Sequence, residues 1–254
     1  MTLRASLAMY ARPELDAANA EIWTAAREHL HTHGIDAPGK LDPDGVGYDY
    51  WEDPNLLVSQ TCGYPYRSRL FDTVSLIGTP DYGLEDCPPG YYYSVYLVRR
   101  SSHYKTIQDL QGATFAFNDK HSQSGFHGPM AHLGAHGVAA NPHLETGAHI
   151  ASAIAVVQGQ CDFAAVDAIT WRYMLQSDDF TSDLRIITGS HPVPGLPLIT
   201  AFAELVLPLR AALRAAFAAC PAATAQLGIN GLQVFLPETY SASNFQPKLL
   251  RTEE

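Results

Sequence analysis

No stretch of this chain is apolar for long enough to cross a bilayer; the longest apolar runs stop well short of the ~20 residues that a spanning helix needs. Direct membrane insertion is therefore not expected. Positive charge is scarce too, with 16 lysines and arginines against 26 aspartates and glutamates and a net charge of −10. Nucleic acid, whose phosphates want a basic face, is not an expected partner. A small anion is not excluded, because such sites use local donors rather than net charge. Cysteine is limited to Cys62, Cys87, Cys161 and Cys220, none in C-x-x-C spacing. That removes a zinc ribbon and a thioredoxin-type redox pair. Cys62 and Cys87 would be close only if their loops met, and free, partly buried thiols are the expectation. No internal repeat recurs at a fixed period. The opening MTLRASLAMYARPEL lacks the basic start, the uninterrupted apolar core and the small-residue cleavage site of a secretory signal. It reads as a strand, Leu3 to Tyr10, running straight into a helix. On that reading the chain is either cytoplasmic or one whose leader was replaced by Met1.

What is present is enough for a real core. Hydrophobic residues make up 46% of the 254 and charged residues 17%, which suits one large domain or two small lobes. Pro13 opens a helix in which Leu15, Ala18, Ile22, Ala25 and Leu30 recur at helical spacing before Gly34. Strands are expected at 56–61, 71–77, 91–100, 114–117, 161–166 and 184–188. Helices are expected at 126–135, 149–158, 169–176 and 202–219, with a short helix and a strand within 221–236 and a polar surface tail after Glu238. Strands alternate with helices, which predicts the α/β class with mainly parallel sheets. The long strand at 91–100 and the proline-rich stretch at 191–197 are candidate crossings between lobes. They divide the chain into a first lobe of residues 1–98 plus 196–254 and a second of residues 99–195. Ligands in open α/β sheets bind beyond the carboxyl ends of strands, here expected in a cleft between lobes.

The segment DLQGATFAFNDKHSQSG, residues 109–125, carries the most chemistry. A turn precedes the β-prone strand Thr114–Phe117, and Ser122, Gln123, Ser124 and Gly125 then open a helix. Amides at a helix start attract an anion, the two hydroxyls and one amide side chain add donors, and Gly125 allows close backbone approach. The segment reads as a cradle for a small oxyanion; the plainer alternative is an ordinary serine N-cap. Tyr10 ends the first predicted strand, Thr61 the second, and Tyr93 and Ser94 lie near the first crossing. Each stands where a pocket residue would, although tyrosine packing within a lobe is the commoner role. Six of the eleven histidines fall between 121 and 149. His132 and His136 are four apart on a predicted helix, a metal-pair spacing, but no third ligand stands at motif distance and solvated surface histidines are expected. No G-x-S-x-G, H-E-x-x-H or Walker loop is present.

DLQGATFAFNDKHSQSGFHGP, ending at Pro129, resembles the core signature of the phosphate, phosphite and phosphonate binding proteins of ABC importers. GAHIASAIAVVQGQCDFAAVD (147–167), PVPGLPLIT (192–200) and WEDPNLLVSQTCGYP (51–65) are similar to further family blocks. The resemblance implies the two-lobed type II periplasmic binding protein fold, with mixed sheets flanked by helices and the ligand cleft between lobes. It implies a solute-binding protein, not an enzyme, that captures a small oxyanion and hands it to an ABC transporter permease, with no cofactor. By the same resemblance Ser122, Gln123, Ser124 and the Gly125 backbone hold the oxyanion, and His149 lies close to it. Many members have threonine where this chain has Gln123. Asp167 would meet a ligand amine in the manner of aminoalkylphosphonate binders, or else cap the following helix. The resemblance places the chain in the periplasm if a leader was removed. Alternatives are a cytoplasmic enzyme or an effector sensor on the same fold acting on a small carboxylate.

Overall fold

The computed structural model describes residues 2–241; the C-terminal end of the first lobe and most of the polar tail expected after Glu238 lie outside them. Twelve strands follow one another among the described residues. They are β1 (Arg4–Ser6), β2 (Leu56–Gln60), β3 (Ser75–Asp81), β4 (Tyr91–Tyr92), β5 (Ser94–Arg99) and β6 (Thr114–Phe117), followed by β7 (Asn141–Glu145), β8 (Phe163–Asp167), β9 (Leu184–Gly189), β10 (Val193–Pro194), β11 (Leu198–Thr200) and β12 (Gly231–Gln233). Two compact units result, one of residues 2–91 and 194–241 and the other of residues 92–193.

The first unit has the sheet order β1-β2-β11-β3-β12. Only β1 and β2 run parallel, while β11 is antiparallel to both neighbours and β12 is antiparallel to β3. The helix Asp16–Thr32, entered through a 3-10 turn at Pro13–Leu15, buries Ala18, Ile22, Trp23, Ala26 and Leu30 at the spacing of one helical face. It packs on the helix Val206–Ala219. Every residue of β2 is buried. The strand stops at Gln60, one residue short of the expected end, and Thr61 just beyond it gives its amide to the Pro197 carbonyl at 3.0 Å. In the same unit the Gly195 amide donates to the Gly90 carbonyl at 2.9 Å, and a Cβ on Gly195 would lie 2.8 Å from that oxygen, so only glycine fits.

The second unit has the order β7-β6-β8-β5-β9. β6 runs parallel to β7 and β8, whereas β5 is antiparallel to β8 and β9. Its core is aromatic: Phe115 stacks on Phe163 at 4.7 Å between centroids, and Tyr96, Leu110 and Leu133 close around them. Each such buried large side chain contributes roughly 1.5–3 kcal/mol, which holds the carboxyl ends of β6 and β8 in fixed register.

Both sheets are mixed, where the alternation of elements predicts mainly parallel ones. The exceptions include β5, the first strand of the second unit's sheet, and β11, the first strand of the first unit's sheet after the chain returns to it. Neither follows a βαβ crossover within its own sheet, so the rule that makes such strands parallel does not apply. Boundaries differ as well. The first strand stops at Ser6, and Ala8–Tyr10 forms a 3-10 turn, so Tyr10 does not end a strand. The strand expected at 71–77 begins only at Ser75, because a wide turn occupies Tyr66–Leu70. The expected 91–100 strand is broken at Tyr93. β7, with sequence NPHLE, is an exposed polar edge strand with a proline and gives no periodic signal. Cys62, Cys87, Cys161 and Cys220 are all thiols.

Candidate functional site

The second unit builds a polar corner at the end of β6. The strand end is tied to the start of the helix His149–Val157: the Thr146 amide donates to the Phe117 carbonyl at 2.9 Å and the Gly147 amide to the Asn118 carbonyl at 2.8 Å. The chain then turns through Asp119–His121, where the Ser122 amide donates to the Asp119 carbonyl at 2.9 Å. Ser122 has extended backbone angles and its Oγ accepts from the Gly125 amide at 2.9 Å, the geometry of an N-cap.

What the cap opens is a turn of the wider π type over Gln123–His127, in place of the α-helix predicted from Phe126. The His127 amide donates to the Ser122 carbonyl at 2.9 Å, and α-helix begins only at Gly128. Two glycines make this packing possible. A Cβ on Gly125 would sit 1.7 Å from Asn118 Oδ1 and 3.1 Å from His149 Cε1, and one on Gly128 would sit 2.8 Å from the Gln123 carbonyl oxygen. Neither constraint is local in sequence, and Asn118, Gly128 and the Ala165 carbonyl were not among the residues singled out from the sequence.

Two side chains fix the turn from outside. Ser94 Oγ, at the start of β5, donates to the Ser124 carbonyl at 2.8 Å. His149 Nε2, at the first position of its helix, lies 3.0 Å from Ser124 Oγ. The His149 residue as a whole keeps some exposure, but its Nδ1 is sealed from solvent with no good hydrogen bond. Burial pushes the His149 pKa down to about 4, and the Ala165 carbonyl partly opposes this, so the ring is neutral near pH 7. Asn118 Oδ1 is a second buried atom without a hydrogen-bond donor. Ser122, Gln123 and Ser124 are all buried. The Gln123 amide nitrogen lies 2.9 Å from where a Gly128 Cβ would be, folded back over its own turn.

The structure thus brings Ser94, Ser122, Gln123, Ser124, Gly125 and His149 together. Asp167 stands opposite Ser94 in the β5–β8 ladder, and its Oδ1 accepts from the amides of Ile169 at 2.7 Å and Thr170 at 3.1 Å. Its carboxylate caps the helix Ala168–Ser177. Tyr93 is half-buried just before β5, and its ring lies 3.4 Å from where a Gly189 Cβ would stand. Tyr10 and Thr61 belong to the first unit. Tyr10 meets Tyr82 edge to face at 5.2 Å, and Thr61 Oγ1 is buried without a hydrogen-bond partner.

The His132–His136 pair does not form the exposed set expected. His132 is 6% exposed, and its Nδ1 lies 2.9 Å from the Tyr96 hydroxyl. Burial, then His136 and His191, lower its pKa to about 4. His136 Nδ1 bonds the His132 carbonyl at 3.0 Å. Among the described residues no group of three or more ligating side chains is placed to hold a metal, and no helix is long and apolar enough to cross a membrane.

Comparison with known proteins places this geometry. No curated protein matches the chain. Among solved structures, a Xanthomonas citri protein bound to ATP superposes with a TM-score of 0.70 at 18% identity, covering 96% of this chain and 94% of that one. PhnD1 from Prochlorococcus marinus in complex with methylphosphonate gives a TM-score of 0.72 at 12% identity, with 94% of each chain covered. A binding protein component of an ABC phosphonate transporter from Pseudomonas aeruginosa gives 0.68 at 15% identity, covering 94% of this chain and 83% of that one. These likenesses show the fold, that of the type II periplasmic binding proteins. A family model described as ABC transporter, phosphonate, periplasmic substrate-binding protein matches residues 75–240. That match spans more than half of the sequence and includes the whole polar corner, so this chain is a solute-binding protein and belongs to the family of periplasmic phosphonate substrate-binding proteins of ABC transporters.

Proposed function

We propose that the chain captures a small phosphorus oxyanion of the phosphonate, phosphite or phosphate type on the Ser122–Gly125 turn and delivers it to an ABC transporter permease. The observation that carries this reading is the bonding of the turn: Ser122 caps it, Ser94 holds its backbone and His149 bonds the Ser124 hydroxyl. Preorganised donors of this kind bind anions tightly because little ordering is left to be done. Two fold neighbours hold phosphorus oxyanions in their own structures, ATP in one and methylphosphonate in the other, which supports the class of ligand.

The residues assigned to contact are Ser122, Ser124 and Gly125, with Gln123 and Tyr93 at the margin. Ser94 and Asp167 position the backbone, Ser94 through the Ser124 carbonyl and Asp167 through its helix cap. With its carboxylate engaged in capping, Asp167 gives no support to an aminoalkyl ligand. Tyr10 and Thr61 belong to the first unit and are not assigned to this seat. The family is periplasmic and transport-related, and no observation favours the enzymatic alternative.

A thermal-shift panel of phosphate, phosphite, methylphosphonate, a small dicarboxylate and zinc tests the reading. A phosphorus oxyanion at about 100 times its Kd should add roughly 2.7 kcal/mol and raise Tm accordingly. A shift with the dicarboxylate or zinc alone would overturn the assignment.

A further inference from the structure

The first unit carries a cavity that shares no residue with the polar corner of the second. Its volume is about 430 Å³, within the ~300–1,000 Å³ usual for small-molecule sites. One wall is a second face of the helix Asp16–Thr32. Asp16, Asn19, Ala20, Trp23 and Thr24 line it and recur at the spacing of one helical stripe. Of these only Trp23 also belongs to the helix's buried face. Another wall is residues 39–43, part of the segment between Thr32 and Tyr48 that forms neither helix nor strand. The turn after β1 adds Leu7, Ala8 and Ala11.

A segment without regular structure keeps a cavity open only if it is pinned, and this one is pinned on both sides. The Trp23 indole N–H donates to the Pro38 carbonyl at 2.9 Å and Arg27 Nε to the Ala37 carbonyl at 3.1 Å. Farther along, the Asp42 amide donates to the Ala5 carbonyl of β1 at 2.7 Å. Gly39 stands between these anchors. Its backbone lies outside the left-handed region, and a Cβ there would meet nothing within 4 Å, so neither conformation nor crowding requires glycine. The missing side chain leaves the cavity its width.

The polar groups of the lining divide into engaged and unengaged. The Asp42 carboxylate accepts from the Tyr50 hydroxyl at 2.7 Å and from Arg4 Nε at 3.4 Å. Thr24 Oγ1 donates to the Ala20 carbonyl at 2.8 Å. With its N–H on Pro38, Trp23 offers the cavity carbon and π surface. Asp16, Asn19 and Lys40 make no side-chain hydrogen bond or ion pair among the described residues. One carboxylate therefore stands on the helix wall and one ammonium on the loop wall, over an apolar lining. A lone anion would meet Asp16 and a lone cation would meet Lys40, so the pattern favours a ligand that carries both charges.

We propose that this cavity is a second binding site and that it takes a small amphipathic zwitterion of the α-amino acid type. Asp16 and Asn19 receive the ligand's ammonium, Lys40 its carboxylate, and its apolar side chain lies on Trp23. The site is built within one unit and does not rest on the oxyanion reading.

The test is titration calorimetry on the full chain just below neutral pH, with leucine, methionine and phenylalanine as probes. At least one should bind. Its amide, which lacks the carboxylate, and its deaminated acid, which lacks the ammonium, should each bind about tenfold more weakly. Lys40→Gln should weaken the amino acid and the deaminated acid about tenfold and spare the amide. Asp16→Asn should weaken the amino acid and the amide and spare the deaminated acid. Gly39→Val should remove binding at an unchanged Tm, because its added carbons enter open space. If that variant loses stability, the ligand series and the two charge variants still decide. No binding by any of the three probes, equal binding of an amino acid, its amide and its deaminated acid, binding that survives Gly39→Val, or full displacement by methylphosphonate would each overturn the site and leave the oxyanion reading as it stands.

Discussion

Each unit sends a strand into a wide turn, and the two exits are built differently. In the second unit β6 leads to Gln123–His127; in the first, β2 leads through Gly63–Pro65 to Tyr66–Leu70. The second-unit turn begins on a serine whose side chain caps it, and outside residues hold its backbone and its hydroxyl. The short helix in the first unit begins on Cys62, which makes no side-chain cap, and the neighbouring Thr61 hydroxyl has no partner. The second exit is therefore held by side-chain bonds to its backbone and its hydroxyl, whereas the first keeps an unused donor. The geometry of the proposed seat is set by bonds inside one unit.

Acid offers the strongest way to separate the two units. His132 and His149, both in the second unit, are held to about 4 by burial, against an ordinary 6.5. Between those values the unfolded chain binds more protons than the folded one, so their contribution is complete above about 6.5 and is lost as pH falls toward 4. The loss reaches roughly 3 kcal/mol per histidine if the shift is fully expressed. Hydrogen exchange at pH 4.5 should speed up in β6 and β8 before β2; equal loss of protection in both units would break the comparison.

Next in size is Gly125→Ala. The added methyl meets Asn118 and His149, and overpacking of this kind costs about 1–3 kcal/mol. Denaturant unfolding of the variant should show that loss together with weaker phosphonate binding, and an unchanged midpoint would mean that Asn118 swings aside freely. Ser122→Ala removes a cap worth about 1 kcal/mol and should lower both Tm and methylphosphonate affinity. Unaltered affinity would take the Ser122 side chain out of the seat. The smallest effect belongs to the first unit. Thr61→Val replaces an unpartnered buried hydroxyl by a methyl and should leave stability unchanged or raise it by up to about 1 kcal/mol. If affinity for methylphosphonate is also unchanged, the hydroxyl has no part in binding and the contrast between the exits is purely structural.

Local signals carried much of this into the sequence. β6 occupies Thr114–Phe117 as its β-prone run predicts, Ser122 caps, and Asp167 realises the cap that an aspartate before a helix suggests. What stayed hidden depends on contacts remote in sequence. The π-type turn differs from an α-turn by one residue per ring, and it is enforced by the packing of Gly125 on Asn118 and Gly128 on the Gln123 carbonyl, which no periodicity encodes. His132 looks like a surface histidine until β5 delivers Tyr96 to it from 36 positions away. Ser94 could be placed near a crossing, but its bond to the Ser124 carbonyl required the β5 register to be known.

The glycine clasp between Gly90 and Gly195 has a consequence for how this molecule can be cut and rejoined. The backbone departs from the first unit and comes back at points one hydrogen bond apart. A graft inserted at such a gap imposes almost no closure strain on its host. Splicing Gly90 to Gly195 through a short linker would excise about a hundred residues in one piece. The host would keep its five-stranded sheet, and the donor site would accept a foreign module in exchange.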